Sequence, residues 1–310
     1  VNPPRKIGVG SAFGSCGELL QGVTADNRDF LVTLPIREGS VAVFESDPHS
    51  AHVRVSPPHK TKALALAEMM LETSPREHGG HLTIISELPE GKGLASSTAD
   101  LVATARAVAD SHGAATDAAE IEAHLRRIEP SDGVMYPGAV AFYHREVRLL
   151  SRLQPLPPMT IVLGDEGGQL DTVEFNRRDK PFSFADTREY SAMLAELTAA
   201  IGRGDLAMIG AIATRSAIKN SALRERPHLD MVTTAARRLG ALGVVVAHSG
   251  TTTGILLADA DPDRDRKLAQ AREVCAGFAV SVSVHHTWRP GPPDWPVGSR
   301  QSLSGAGASA

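Results

Sequence analysis

Residues 89–100 read PEGKGLASSTAD. Two glycines flank a lysine, two serines follow at once, and from Leu94 onward Leu101, Val102, Ala105, Val108 and Ala109 recur at helical spacing. The strand-like HLTIISELP leads into the segment, and Gly113 follows the polar end of the helix as its C-cap. Strand, glycine turn and helix start therefore come together in one place. Backbone that wraps closely round an anion needs residues without a Cβ, which Gly91 and Gly93 supply. The helix start adds unpaired N–H groups and the positive end of a dipole. Ser96 and Ser97 can cap the helix, bond a phosphate oxygen, or join the oxygen shell of Mg²⁺, and Lys92 offers a point charge. A bare glycine turn with a serine cap would use the same letters. Neither the P-loop pattern GxxxxGK[ST] nor the dinucleotide pattern GxGxxG is present, so the rest of the chain decides.

With 310 residues, 42% of them hydrophobic and 22% charged, the composition is globular and long enough for two domains. A net charge of −4 gives no reason to expect nucleic acid or a membrane surface as partner and favours a small molecule. Cys16 and Cys275 lie far apart and outside any metal-spaced cluster, as expected of a reducing cytoplasm. No run approaches the ~18 apolar residues of a membrane span, and VNPPRKIGVGSAFGS lacks the pattern of a leader, so a cytoplasmic protein is expected. Nothing in the chain specifies an oligomeric state.

Outward from the central segment, KIGVGSA reads as a strand entering a glycine-rich turn, with FLVTLP, SVAVFES and HVRVS as further strands and TKALALAEMMLET as a helix. A helix over AAEIEAHLRRIE ends at Pro130, and AVAFYH and VRLLS read as strands. The proline-rich LQPLPPM marks a boundary, giving domains at 1–152 and 153–288. The second half predicts a strand at TIVLGDEGG, helices near 186–203, 205–219 and 226–239, strand–turn–strand over GVVVAHSGTTTGILLAD, a helix at 263–276 and a last strand, FAVSVSVHH. Residues 289–310, rich in Pro, Gly and Ser, predict a disordered tail. The order of elements fits two α+β layers.

PEGKGLASSTAD resembles the P-x-x-x-G-L-x-S-S-A phosphate loop of the GHMP kinase superfamily, which includes galactokinase, homoserine kinase and mevalonate kinase, with Ala95 where glycine is commoner. GSAFGSCGELLQG near the amino terminus resembles the family's first, substrate-side motif, and AHSGTTTGILL (247–257) its third. Within the superfamily, SCGELLQG, GKGLASSTAD, EPSD and VAHSG are most similar to the L-threonine kinase branch of cobalamin biosynthesis. The resemblance implies an α+β GHMP kinase fold, a ribosomal-protein-S5-like nucleotide domain followed by a ferredoxin-like domain. It implies ATP-dependent phosphorylation of a side-chain hydroxyl with Mg²⁺, L-threonine becoming O-phospho-L-threonine. Another hydroxylated amino acid or metabolite as acceptor, and a non-catalytic nucleotide-binding sensor, are the alternatives.

By motif position, Pro89, Gly91, Lys92, Gly93, Leu94, Ala95, Ser96, Ser97 and Thr98 would hold the nucleotide. Ser97 and Glu129 would ligate Mg²⁺ and Ser96 the phosphate, the serine roles being exchangeable. Asp132 would accept the hydroxyl proton. EPSDG would equally serve as a polar turn, and Glu120 and Glu122 compete as metal ligands or lie on a solvated helix face. Ser15, Cys16, Gly17 and Glu18, with Ser249, Gly250, Thr251 and Thr252, would shape the acceptor side, Glu18 meeting a substrate ammonium. The third-motif turn, Arg177 or Arg215 would meet its carboxylate. Many GHMP kinases carry a lysine in the first motif where Ser15 and Cys16 stand here, so Asp132 works without that partner or Lys6, Lys92 or Lys219 replaces it. Cys16 reads as a packed residue in a tight turn, His285 and His286 as a strand end, residues 165–175 as a binding or solvated loop, and Lys60 and Lys62 as exposed or phosphate-facing.

Overall fold

The computed structural model describes residues 6–72, 79–168 and 182–290. Its spine is a long antiparallel hairpin, β1 (Ile7–Val23) and β2 (Asp29–Ser46), paired from Ile7↔Glu45 to Val23↔Asp29. The expected break at GSCG is absent: the chain stays in β1, and the register shifts between Phe13, Ser15, Glu18 and Leu20 mark bulges instead. A bulge admits the same left-handed glycine as a turn, Gly17 at φ 69°, which is why the letters suggested one. FLVTLP and SVAVFES likewise fuse into the single strand β2.

On one side of the hairpin β2 pairs with β4 (Gly80–Ser86), which runs parallel to β3 (Val53–Ser56). β5 (Val140–Tyr143) joins β2 at Leu31↔Phe142 and carries β6 (Arg148–Arg152). On the other side β1 meets β8 (Gly243–Val246) at Glu18↔Val246. From β8 the sheet continues through β9 (Thr252–Ala258), β7 (Met159–Asp165) and β10 (Ser281–His286). Among the described residues these ten strands make one continuous sheet, and residues 153–158 connect β6 to β7.

Seven helices are described: α1 (Thr61–Glu72), α2 (Ser96–Ser111), α3 (Ala118–Leu125), α4 (Phe184–Arg203), α5 (Leu206–Asn220), α6 (Leu229–Leu239) and α7 (Arg264–Ala276). Helix α2 is the central one, with Ala99, Leu101, Val102, Ala103, Ala105 and Ala107 buried. It can lie directly on β1 because a Cβ on Gly8 or Gly10 would stand 2.0 and 2.2 Å from the carbonyls of Ala107 and Ala103. Those glycines are read in the sequence as strand residues, and their small size is what seats the helix. A second apolar cluster, including Val162, Val232, Val244, Ile255 and Leu257, fills the space between β7–β9 and helices α6 and α7. Each such side chain removed from water contributes about 1.5–3 kcal/mol. Among the described residues no helix is long and apolar enough to cross a membrane. The expected tail at 289–310 lies, but for its first two residues, outside the described residues, as does Arg177.

Candidate active site

The three motifs, far apart in the chain, converge at the start of α2. The Ser15 N–H of the β1 bulge donates to the Leu94 carbonyl at 3.1 Å. From the other side the turn between β8 and β9 rests on the phosphate-loop candidate: Thr252 Oγ1 donates to the Lys92 carbonyl at 3.2 Å. A Cβ on Gly250 would stand 2.2 Å from that same carbonyl, and one on Gly93 would stand 2.4 Å from Ala247 Cβ. Glycine at both positions is thus a steric requirement of the contact. The turn is held from below by two guanidinium groups: Arg224 donates to the Gly250 carbonyl, and the buried Arg226 to those of Ala247 and Thr252.

Ala95 initiates α2 in the left-handed region (φ 57°, ψ 28°), and no side chain caps the helix. The first-turn amides, which have no acceptor within a helix, therefore face the adjoining cavity. That cavity, of about 380 Å³, is lined by Gly91, Gly93, Leu94, Ala95, Ser96, Ser97 and Thr98 on the α2 side, and by Glu129, Ser131 and Asp132 opposite. His144, His248 and Ser249 extend its wall. The Ser97 hydroxyl donates to Glu129 Oε1, and the Lys62 ammonium meets Oε2 of the same carboxylate. The Asp132 N–H donates to Thr98 Oγ1 at 3.3 Å, which ties the EPSD segment to the first turn of α2.

Two carboxyl groups at this place are perturbed. Burial, reinforced by the negative charge of Glu129, pushes Asp132 from the ordinary 3.8 up to about 6. Burial and then Asp132 itself hold Glu18 well above the usual carboxylate range, and Glu18 Oε2 has no hydrogen-bond partner among the described residues. A buried, unpartnered carboxyl oxygen beside a second acid is costly unless a cationic group completes it. Burial, then Glu38 and Glu18, raises the Cys16 thiol well above its usual range, so it is a protonated packing group and not a nucleophile.

The remaining expected residues are placed as follows. Lys92 turns from the cavity to Asp165 (2.8 Å) and the Gly168 carbonyl (3.1 Å), and Thr251 Oγ1 donates to Asp165 at 2.5 Å, so these residues tie loops together. Pro89, Ser15, Cys16, Gly17, Glu18, Gly250, Thr251 and Thr252 are not among the residues that line the cavity. Glu120 belongs to the N-terminal cap of α3, and Glu122 accepts from Tyr136 (2.7 Å) and the Leu149 N–H (2.8 Å), so both have structural partners. Arg215 pairs with Glu189 (2.7 Å). His285 contacts Glu38 and Ser283, and His286 contacts Thr160.

Two arrangements were not anticipated: the acid partners of Lys60, itself expected as exposed or phosphate-facing, and a buried polar chain. Lys60 lines the cavity and binds both Glu90 and Asp100 (2.6 Å), while Asp100 also accepts from Ser40 at 2.5 Å. The second is a buried chain of polar side chains, Gln21, Asn220 and His248, behind the cavity. No local motif announces either, because their partners lie 30 to 227 residues apart in sequence.

A helix start facing Glu129 and Asp132 across one cavity suits a small-molecule phosphotransferase, and the known relatives agree. Residues 61–142 match the family model of the GHMP kinases N terminal domain and residues 197–279 that of the GHMP kinases C terminal domain. The chain belongs to the GHMP kinases, phosphotransferases that act on a hydroxyl group with ATP as donor. It is 28% identical to the L-threonine kinase of Salmonella typhimurium over 255 residues, which is 81% of this chain and 83% of that protein. Against the L-threonine kinase of Citrobacter freundii it is 26% identical over 268 residues, covering 84% and 88%. The crystal structure of homoserine kinase from Cytophaga hutchinsonii superposes with a TM-score of 0.68 at 18% identity, covering 93% of this chain and 96% of that one, a likeness of fold.

Proposed function

We propose that the chain transfers the γ-phosphoryl group of ATP to the side-chain hydroxyl of L-threonine, giving O-phospho-L-threonine. The observation that carries this reading is Asp132, which lines the cavity at the open start of α2, with the buried Glu18 close enough to feel its charge: the first carboxylate suits a hydroxyl proton and the second a substrate ammonium. The relatives named L-threonine kinase supply the amino acid. Residues up to 152 would then form the nucleotide half and residues 153–288 the half that completes the acceptor site.

Phosphoryl transfer requires the γ-phosphate in line with the hydroxyl, its charge neutralised and a route for the proton. The amides of Ser96, Ser97 and Thr98 bind phosphate oxygens, and the Ser96 hydroxyl adds one donor. Asp132 takes the acceptor's proton; with a pKa about 6 it is ionised at neutral pH and is a stronger base than an ordinary aspartate. Glu18 orients the acceptor by pairing with its ammonium, which removes the cost of its own buried charge. Ser97 and Glu129 present adjacent hard oxygen atoms that fit Mg²⁺, and would hold it in place of their mutual hydrogen bond. The metal, when bound, supplies charge neutralisation at the phosphates.

The test is ADP release by the purified protein with MgATP and L-threonine, L-serine, L-homoserine, mevalonate or sugars, with mass detection of product. O-phosphothreonine as the preferred product supports the reading. Preference for another acceptor keeps the kinase and replaces the substrate, and ATP binding with no turnover on any acceptor favours a sensor.

A further inference from the structure

We propose that Asp165 is a positioning residue for ATP: through Lys92 it clasps the phosphate loop to the turn between β8 and β9 and so holds the loop ready for phosphate. The inference rests on the reading of the α2 start as the nucleotide site. Gly91 and Gly93 line the cavity, while Lys92 between them does not. Its ammonium lies 2.8 Å from Asp165 Oδ2 and donates to the Gly168 carbonyl at 3.1 Å, and neither partner lines the cavity. The other carboxylate oxygen, Oδ1, accepts from Thr251 Oγ1 at 2.5 Å and from the Gly167 N–H at 3.0 Å. One carboxylate at the end of β7 thus bridges the phosphate loop and the third-motif turn. Burial works to raise its pKa, but Lys92, Thr251 and the Gly167 N–H together bring it below the ordinary value, so Asp165 is ionised at neutral pH.

A glycine-rich loop gains most from such a clasp. Gly91 and Gly93 both stand at positive φ, 72° and 85°, and ordering backbone costs conformational entropy, for glycine most of all. A free loop would meet that cost when ATP binds, whereas a clasped loop has met it on folding and binds more tightly for it. The main chain of Lys92 is gripped as well as its side chain. Its carbonyl accepts from Thr252 Oγ1, which across the trans peptide directs the Gly93 N–H away from the turn. The turn that does the gripping is itself anchored: Arg224 and Arg226 hold its carbonyls, and the Glu166 N–H donates to the Thr251 carbonyl at 2.9 Å. Lys92 therefore serves the loop as its anchor and not as a ligand to phosphate.

The test is calorimetric titration of the full chain with MgATP. By charge alone Asp165→Asn would tighten binding, because it removes a negative charge near an anion and frees Lys92 to reach it. The clasp predicts the opposite, a Kd for MgATP raised about tenfold, the scale on which two groups in contact couple. Lys92→Met should give the same loss, and the double variant should be no weaker than either single one. A second measurement needs no nucleotide: amide exchange of residues 90–95 in the free protein should be about fivefold faster or more in both single variants. Should Asp165→Asn fail to fold, exchange in Lys92→Met decides. Tighter or unchanged MgATP binding by Asp165→Asn overturns the proposal, and so does unchanged loop exchange. Additive weakening in the double variant also overturns it, since Lys92 would then touch phosphate itself. Ser96→Ala tests the site separately: if it too leaves the Kd for MgATP unchanged, the reading of the α2 start has failed, and the proposal with it.

Discussion

Asp132→Asn changes one oxygen to nitrogen at the centre of the proposed mechanism, and the structure fixes two expected effects of opposite sign. The first is on rate. Loss of a positioned base costs on the order of 10²-fold or more in kcat, with the KM for ATP nearly unchanged. The wild type should show an acid limb in kcat/KM with a midpoint about pH 6, activity falling roughly tenfold by pH 5 as Asp132 is protonated. In the variant that limb disappears. The second effect is on stability. The folded-state pKa of Asp132 is raised, so its contribution to stability is fully present below the ordinary 3.8 and is lost as pH rises through about 6. Above pH 6 the ionised carboxylate destabilises the fold by 6 minus 3.8, or about 2 pKa units, at most about 3 kcal/mol because the group faces an open cavity. The neutral amide removes that term and relieves Glu18 of its charged neighbour. Asp132→Asn should therefore melt higher than the wild type at pH 7.5, the gain shrinking toward pH 4. Stopped-time ADP release across pH 4.5–9 and calorimetric melting at the two ends measure both. An acid limb that survives in the variant, or a variant less stable at pH 7.5, would refute the reasoning.

Two further changes probe the helix start and the metal. Ala95→Gly relieves a left-handed residue that costs an alanine about 1–2 kcal/mol, against about 0.4–1 kcal/mol of added unfolded-state entropy. A net gain of up to roughly 1 kcal/mol, seen as a small rise in Tm, is expected with ATP affinity unchanged, and a fall in Tm would contradict it. Glu129→Gln removes a proposed metal ligand and the charge that raises Asp132, so the Mg²⁺ concentration for half-maximal rate should rise at least about tenfold. The acid limb should also move to lower pH. An unchanged metal titration would remove Glu129 from the metal site.

What was legible in the sequence follows from how local each function is. The helix start is encoded within twelve residues, because close backbone approach, amide donors and hydroxyls are all needed at one turn. Asp132 and Glu129 share a four-residue segment and come together for the same reason. The β1 bulge was less readable, since a left-handed glycine serves a turn and a bulge alike, and only pairing with β2 decides. The network of Gln21, His144, Asn220 and His248 was not readable as a unit. Its members come from β1, the end of β5, the end of α5 and the end of β8, and each alone looks like an ordinary buried polar residue.

The first-motif lysine of many GHMP kinases is not replaced by any of the three lysines expected to stand in for it. Lys92 is bound to Asp165, Lys219 to Asp186 and Glu189, and Lys6 lies beside Ser46 at the far end of β1. The ionisation of Asp132 is set by burial and then by Glu129, and among the described residues no cation opposes them. A lysine there would lower the pKa and weaken the base. Without it, Asp132, pushed up to about 6, is mostly ionised at pH 7.5 and still more basic than an ordinary aspartate. Proton acceptance therefore does not need the lysine. In the proposed mechanism its other service, positive charge near the transferring phosphoryl group, would fall to the amides of α2 and to the metal. An acid limb near pH 6 is the signature of this arrangement, because a lysine-paired aspartate would carry that limb to lower pH.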